Sequence, residues 1–233
     1  MSFYDHWQTD RTLLGKRWSR IASTYALELA SKHAAVSSVL EIGPGNGDFA
    51  WVCRNRGAEY TAIDSNADRC QYMSSENYEV IQALVPPLPV EDGTYDMVYA
   101  SHVLEHMKDW PSALEFVAEC GRVTKMGGVV VLVTPDFLKL GPYFWDVEYS
   151  HGFVTTPRRV SQLLMDTGLS PLAASRVSGP FHGVAATFSS NLARFLHVGL
   201  AYNATARLIQ RERFYKMKGM LLGGTVTIGG KRE

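Results

Sequence analysis

Two hydrophobic periods alternate along this chain. Short apolar runs rich in valine and isoleucine are typical of buried strands, and the segments between them carry apolar residues every three or four positions, as amphipathic helices do. The apolar runs predict seven strands: VSSVLEIG, EYTAID, YEVIQA, TYDMVYAS, GGVVVLVTP, PLAASRVSG and GGTVTIGGK. The helical periods fall on residues 9–34 and on DFAWVCRNRG, SNADRCQYMSSE, WPSALEFVAECGRVTK and TTPRRVSQLLMDTGL.

This order of elements predicts an α/β fold. Strands alternating with helices form a Rossmann-like, doubly wound, mostly parallel seven-stranded sheet with helices on both faces. An extra helical segment, residues 182–218, precedes a last strand that we expect to pair antiparallel at one side of the sheet. We expect a single domain with four parts: an N-terminal helical cap (1–35), a core (36–180), a helical insertion (181–222) and the last strand (223–233).

Composition narrows the classes of protein that this chain can belong to. Its 233 residues are 46% hydrophobic, and 23 basic residues balance 23 acidic ones. The net charge therefore gives no indication of nucleic-acid binding. No apolar run approaches the ~20 residues that span a bilayer, and the N-terminus does not resemble a secretory signal. Three scattered cysteines without metal-ligand spacing indicate reduced core thiols and a cytoplasmic protein. These are Cys53, Cys70 and Cys120.

The most informative stretch is VLEIGPGNGDFAW, where the first predicted strand meets a helix through a glycine loop. Gly43, Gly45 and Gly47 let backbone approach a ligand closely, and the helix N-terminus adds unpaired N–H groups. The G-x-G-x-G spacing differs from the dinucleotide pattern G-x-G-x-x-G. Glu41, two residues ahead of the loop, would repel a pyrophosphate and attract a cationic amine.

A second carboxylate follows at the tip of the next predicted strand, EYTAID. Asp64 can accept two hydrogen bonds at once, which suits the two hydroxyls of a ribose. Together with Glu41 and the glycine loop, it describes a site for a nucleoside that carries a positive charge and no phosphate.

At this point the sequence resembles the class I S-adenosylmethionine-dependent methyltransferases, most closely their small-molecule branch. VLEIGPGNG is similar to the family's first motif, AID to its acidic strand tip, and the stretch from TYDMVYASHVLEH to VVVLVTPD to its fourth and fifth strands. The resemblance runs from about residue 36 to residue 175. It implies S-adenosyl-L-methionine as the cofactor.

The resemblance also implies roles for individual residues. Glu41 and Gly43 would hold the methionine end of the cofactor, with Gly45 and Gly47 beside them, and Asp64 would bind both ribose hydroxyls. The remaining cofactor-binding residues are expected to be Ser65, Gln82, Ser101 and His102. Ser65 is also predicted to cap the next helix. Ser101 and His102 would line the sulfonium side.

One departure from the family concerns adenine. Many relatives place an acidic residue before "LPF", where this chain has IQALVPPLPV. Gln82 and the backbone at Ala83–Leu84 are the candidates to replace it.

Two segments supply candidates for chemistry. Glu105 and His106, in the "HVLEH" signature, are expected to begin the fourth helix and to stabilise a loop rather than to catalyse. His151, in a connection that resembles the family's acceptor-side loop, is either a general base or a residue that pins the loop. Asp146 is either a second base or the group that orients His151. No metal site is expected.

The two ends of the chain leave alternatives open. Four aromatic residues near the N-terminus, Phe3, Tyr4, Trp7 and Trp18, either cover the cofactor or pack the first helix, and Tyr4 and Tyr25 are the tyrosines that could contact the cofactor. The insertion carries six basic residues against Glu212 alone. It is either an extra helical pair, a lid, a homodimer interface or a weak membrane-surface patch for lipid-linked substrates.

The sequence therefore predicts an S-adenosylmethionine-dependent methyltransferase. O-methylation of a sugar, glycan or secondary-metabolite hydroxyl is the first expectation, with a small-molecule, glycan or lipid-linked acceptor. N- or C-methylation is the near alternative, and a catalytically silent cofactor-binding protein is an alternative from another class. A dinucleotide oxidoreductase is disfavoured by the glycine spacing and by Glu41.

Overall fold

The computed structural model describes residues 12–195 and 208–231. The strands in these ranges are β1 Ser38–Ile42, β2 Glu59–Asp64, β3 Glu79–Gln82, β4 Tyr95–Ser101, β5 Thr124–Pro135, β6 Ser170–Ser178, β7 Phe181–His182 and β8 Gly224–Gly230. The helices are α1 Leu13–Ala30, α2 Asp48–Asn55, α3 Ala67–Ser75, α4 Trp110–Val123, α5 Phe137–Leu140, α6 Tyr143–Asp146, α7 Pro157–Asp166, α8 Gly183–Ala193 and α9 Leu208–Leu222.

The strands form one sheet in the order β3-β2-β1-β4-β5-β8-β6-β7. The first five are parallel, and β8 lies antiparallel between β5 and β6. The Rossmann-like, mostly parallel sheet is confirmed, and so is the antiparallel pairing of the last strand. Because β8 pairs with β5 on one side and with β6 on the other, it lies inside the sheet rather than at its side.

The predicted count of seven strands is wrong, since the sheet has eight. The additional strand, β7, contains only two residues and turns back antiparallel onto β6. A two-residue strand is too short to show a hydrophobic period, so the sequence pattern did not reveal it.

Local capping sets where the helices begin. Thr12 caps α1 by accepting a hydrogen bond from the Gly15 N–H at 3.1 Å. Pro111 lies in the first turn of α4, as predicted. The predicted cap at Ser65 is wrong by one residue, because the Asn66 side chain accepts from the Arg69 N–H at 3.0 Å and caps α3.

Two hydrophobic clusters cover the two faces of the sheet. One packs α4 and α7 against the sheet and contains the fully buried Phe116. The other packs α1 and α2 against the opposite face, which also carries Glu41. The predicted burial of the three cysteines is confirmed, since Cys53, Cys70 and Cys120 are all buried free thiols.

The described part of the insertion contains the two-residue strand β7 and the helices α8 and α9. The helix α8 exposes an apolar stripe that continues past its end, formed by Val184, Phe188, Leu192 and Phe195. Residues 196–207, between α8 and α9, lie outside the described ranges. The lid, dimer-interface and membrane-surface roles therefore stay predictions. None of the helices in the described ranges is long and apolar enough to cross a membrane.

The packing of α4 gives a test of the core. Phe116→Ala should destabilise the fold by about 3–5 kcal/mol, because it removes a fully buried ring and leaves a cavity. Trp110→Ala is the matched control, because this larger aromatic residue on the same helix is 64% exposed. Urea denaturation measures both; equal losses in the two variants would contradict this assignment of the core.

Candidate active site

The glycine loop turns the end of β1 into the start of α2. Gly43, Gly45 and Gly47 have φ angles of 70°, 53° and 72°, the left-handed region in which glycine is favoured. A Cβ built on Gly45 would meet no atom within 4 Å, so the absent side chain leaves open space above the loop. Gly47 caps α2 and has no side chain that could accept a hydrogen bond from the first N–H groups of the helix.

Glu41 lies at the base of this space. Glu41 is only 3% exposed, and the Tyr60 hydroxyl donates a hydrogen bond to Glu41 Oε2. Burial raises the pKa of Glu41 to about 8; the negative charges of Asp48 and Asp64 act in the same direction, and the Tyr60 hydrogen bond opposes them. A buried carboxyl with so high a pKa is suited to receive a cation, whose charge would stabilise the ionised form.

A cavity of about 190 Å³ opens over Glu41. Its lining combines the glycine loop with the tip of β4 and with α1. The lining residues are Ser19, Ser23, Glu41, Gly43, Pro44, Gly45, Asn46, Asp48, Phe49, Tyr99 and Ser101. The predicted positions Glu41, Gly43, Gly45 and Ser101 therefore meet in one cavity, and Gly47 begins the helix beside it.

Asp64 lies at the tip of β2, next to the glycine loop. The strands are directly paired, with Ile42 opposite Ile63, and the Gly43 N–H donates to the Ile63 carbonyl at 2.9 Å. Asp64 Oδ1 accepts from the Asn66 N–H at 2.9 Å. Burial is the main cause that raises the pKa of Asp64. The half-buried carboxylate retains lone pairs for a ribose hydroxyl.

The predicted adenine contacts are only partly supported by the geometry. Gln82 is exposed and pairs in register with Asp64 at the strand tips. The Ala83 N–H, however, donates to the Asp64 carbonyl at 2.9 Å, so it is already used by the sheet. Ser65, next to Asp64, is exposed. The roles of Gln82, Leu84 and Ser65 toward the cofactor stay predictions.

His102 is placed differently from its neighbour Ser101. It has a φ angle of 57°, rare for a residue with a side chain, and its ring is 57% exposed. Its Nδ1 lies 2.9 Å from Glu105 Oε1, and it is absent from the lining of the cavity over Glu41. The strand tip therefore directs Ser101 toward the cavity and His102 toward Glu105.

Glu105 and His106 belong to a separate 3₁₀ turn, Leu104–His106, that precedes α4. The expectation that they begin the fourth helix is thus wrong; Asp109 caps that helix instead. Glu105 is fully buried, and its carbonyl accepts from the N–H groups of Gly152 and Phe153 at 2.9 and 3.0 Å. These bonds support the predicted role of Glu105 in stabilising a loop.

His151 is buried beside this turn. Its Nδ1 lies 2.6 Å from the Phe144 carbonyl, which fixes the proton on Nδ1 and leaves Nε2 as the acceptor in the neutral ring. Burial lowers the pKa of His151. The Phe144 carbonyl orients the ring, so the alternative in which the exposed Asp146 orients His151 is wrong. A general-base role for either residue stays a prediction, and His151 would have to use Nε2.

The sequence analysis missed several residues of the site. Tyr60, which donates a hydrogen bond to Glu41, lies on the same face of β2 as Asp64, and the two-residue period of a strand is the signal that could have found it. Ser19 and Ser23 come from α1, and their contact with the cavity depends on how that helix packs. Tyr25 instead bonds Ser175 Oγ at 2.6 Å and stacks on His182.

Of the four aromatic residues near the N-terminus, the structure describes Trp18. Trp18 packs near Gly179, in agreement with the alternative in which it packs the first helix. Phe3, Tyr4 and Trp7 lie outside the described residues.

A parallel sheet with a glycine loop and two strand-tip carboxylates defines a Rossmann-like nucleoside-binding protein. The family model described as methyltransferase domain matches residues 13–174. The chain belongs to this methyltransferase domain family, and relatives that it matches are named as S-adenosylmethionine-dependent methyltransferases.

Individual relatives agree with this membership. A probable S-adenosylmethionine-dependent methyltransferase of Mycobacterium tuberculosis is 29% identical over 169 residues, which cover 71% of this chain and 59% of that protein. The malonyl-[acyl-carrier protein] O-methyltransferase of Pectobacterium atrosepticum is 27% identical over 117 residues, covering 49% of this chain and 45% of that protein. The chain thus matches less than two thirds of the length of these relatives.

Solved structures support the fold. A SAM-dependent methyltransferase from Archaeoglobus fulgidus superposes with a TM-score of 0.62 at 18% identity, covering 98% of this chain and 99% of that chain. Coclaurine N-methyltransferase, solved with N-methylheliamine and SAH, gives a TM-score of 0.57 at 16% identity and covers 90% and 71% of the two chains.

The strand-tip carboxylate gives a test of the cofactor site. Asp64→Ala should weaken S-adenosylhomocysteine binding roughly 10- to 100-fold, because hydrogen bonds to a charged group contribute ~1.5–3 kcal/mol. Asp68→Ala is the matched control, since Asp68 is an exposed acid in the first turn of α3. Isothermal titration measures both affinities. Unchanged affinity in the Asp64 variant would remove Asp64 from the site.

Proposed function

We propose that this protein is an S-adenosylmethionine-dependent methyltransferase that methylates an oxygen atom of a small-molecule, glycan or lipid-linked acceptor. The observation that carries the proposal is the buried Glu41 in a cavity bounded by the glycine loop. A carboxyl with a raised pKa fits the cationic amino group of a methionine moiety, and the missing Cβ at Gly45 leaves room for its approach.

Each part of the site has a separate task in this proposal. Glu41 binds the ammonium of the cofactor, Asp64 accepts hydrogen bonds from the ribose, and Ser101 lines the cavity at the tip of β4. Bound S-adenosylmethionine supplies a methyl group activated by a sulfonium. The surrounding residues then hold the acceptor oxygen in line with that methyl and exclude water, which provides much of the rate in such a displacement.

An oxygen acceptor is supported by one of the relatives. The similar protein from Pectobacterium atrosepticum is named as an O-methyltransferase acting on malonyl-[acyl-carrier protein]. This similarity covers about half of the present chain, so it favours oxygen over nitrogen or carbon without fixing the acceptor. The coclaurine N-methyltransferase, at 16% identity, supports the fold alone.

A groove along α1 suggests a further property of the acceptor. Its volume is about 530 Å³, and it is lined by the cationic side chains of Lys16 and Arg17 together with the rings of Tyr25 and Trp51. It adjoins the cofactor cavity through Arg20, whose Nε lies 3.4 Å from Asp48 Oδ1. Cations beside aromatic rings fit an acceptor with an apolar part and a phosphate or carboxylate group.

The experiment combines methyl transfer with variants of the groove. Purified protein is incubated with methyl-labelled S-adenosylmethionine and one acceptor at a time. The acceptors are malonyl-acyl carrier protein, a sugar phosphate and a polyprenyl-phosphate sugar. We expect label in an oxygen-linked methyl group of one acceptor. Lys16→Ala with Arg17→Ala should raise KM for that acceptor several-fold with little change in kcat, because these cations contact it outside the reacting centre.

Two controls separate the alternatives. Lys32→Ala removes an exposed cation beyond the end of α1 and should leave KM unchanged. Label found on nitrogen or carbon would contradict O-methylation. Tight S-adenosylhomocysteine binding without transfer to any acceptor of these classes would favour the catalytically silent binding protein.

A further inference from the structure

A second polar cluster lies just beyond the tip of β4, where the 3₁₀ turn meets the loop between α6 and α7. Glu105, His106 and His151 each place a donor atom within 4.8 Å of the donor atoms of the other two. The two imidazole rings meet edge to face with centroids 5.0 Å apart. Glu105 and His151 are buried, and His106 is half-buried. Such a convergence of nitrogen and carboxylate ligands is compact enough to enclose one ion.

Each histidine contacts a protein oxygen through its Nδ1. His106 Nδ1 lies 3.0 Å from Ser150 Oγ, and His151 Nδ1 lies 2.6 Å from the Phe144 carbonyl. Metal-binding histidines usually donate their second ring nitrogen to such a partner, which fixes the tautomer and the ring orientation. Nε2 is therefore the nitrogen that each ring would offer to an ion.

A second carboxylate, Glu148, lies beside these three residues. Glu148 Oε1 lies 3.8 Å from His106 Nε2, and Glu148 Oε2 lies 3.7 Å from His151 Nε2. Both distances are too long for hydrogen bonds, and Oε1 accepts instead from Ser150 Oγ at 2.9 Å. An ion between these atoms would draw them into coordination distance, about 2.0–2.2 Å from a metal such as zinc.

Glu105 supplies independent evidence for a bound ion. Its Oε1 accepts from His102, but its Oε2 is completely buried and has no hydrogen-bond partner among the described residues. A buried carboxylate oxygen without a partner is costly. Coordination to a cation would satisfy it.

The backbone holds the two halves of the cluster together. Gly152 donates to the Glu105 carbonyl at 2.9 Å, and a Cβ at this position would lie 2.7 Å from the Met107 carbonyl. This close approach requires glycine, and it places His151 against the turn that carries Glu105 and His106. The cluster is therefore built by the fold rather than by chance contact of surface side chains.

We propose that Glu105, His106, His151 and Glu148 bind one divalent transition-metal ion of the Zn²⁺ type. Two imidazoles with carboxylates favour zinc, iron or cobalt over magnesium and calcium, which prefer oxygen ligands alone. This proposal departs from the expected absence of a metal site. A nitrogen that coordinates a metal cannot also accept a proton, so metal binding replaces the general-base role predicted for His151.

Metal binding can be measured without knowing the methyl acceptor. Untagged protein is treated with a chelator, dialysed, and titrated with Zn²⁺ in a calorimeter and with Co²⁺ in an absorption spectrometer. We expect one Zn²⁺ per chain and intense visible Co²⁺ bands of a four-coordinate site. His106→Asn should weaken Zn²⁺ binding at least about 100-fold, because even changes to the partners of metal ligands cost roughly 10- to 100-fold.

His33→Asn is the matched control, since His33 is an exposed histidine in the turn after α1. It should bind Zn²⁺ like the unaltered protein. S-adenosylhomocysteine affinity and circular dichroism check that His106→Asn stays folded; should it unfold, the Co²⁺ spectrum of the unaltered protein decides. A stoichiometry that does not depend on His106, or Co²⁺ bands of a six-coordinate hydrated ion, would overturn the metal site and leave a network of ion pairs.

The outcome is independent of the proposed methyl transfer. Zn²⁺ binding without S-adenosylhomocysteine binding would support the metal site and contradict the methyltransferase. The reverse result would contradict the metal site alone.

Discussion

The burial of one carboxyl group, that of Glu41, is the constraint on which the site depends. An acid at the buried end of a central strand is unfavourable when ionised, and burial raises its pKa to about 8. The fold tolerates this cost through the hydrogen bond from Tyr60 and through the cavity that opens above it. A cationic ligand would relieve this cost, and in the proposed function the burial of Glu41 therefore favours binding of a methionine ammonium.

The strand order explains why the other groups gather around this carboxyl. β1 pairs with β2 on one side and with β4 on the other, which is the point where the order of the sheet reverses. Ligands of open α/β sheets bind at such a crevice beyond the carboxyl ends of the strands. Asp64 thus comes from one neighbouring strand and Ser101 from the other. The turn that carries Glu105 and His106 follows directly after the tip of β4, and His151 joins them from the loop before α7.

Sequence patterns predicted the parts of the site that lie at strand ends. The positions of Glu41, the glycines and Asp64 at strand ends could be predicted because a strand, a turn and a helix each leave a local signal, and the contacts of these residues with a cofactor stay predictions. Tyr60 was missed because its role depends on which side of β2 it occupies. The eighth strand was missed because two residues carry no period. The proximity of His106 and His151 depends on the close approach of Gly152 to Met107. This contact is long-range, and the residue types of Gly152 and Met107 do not reveal it.

Pairing of Glu41 with the ammonium of the cofactor can be tested by measuring the proton that this carboxyl should release. S-adenosylhomocysteine binding is measured at pH 7 by calorimetry in two buffers with different ionisation enthalpies. Because the pKa of Glu41 is about 8, its carboxyl is mostly protonated at pH 7 before the ligand binds. Pairing with the cation of the ligand should therefore release close to one proton. For the same reason, the affinity should rise up to about tenfold per pH unit between pH 6 and 7.5. Glu41→Gln should lose both effects. Binding without proton release and with pH-independent affinity would contradict the account.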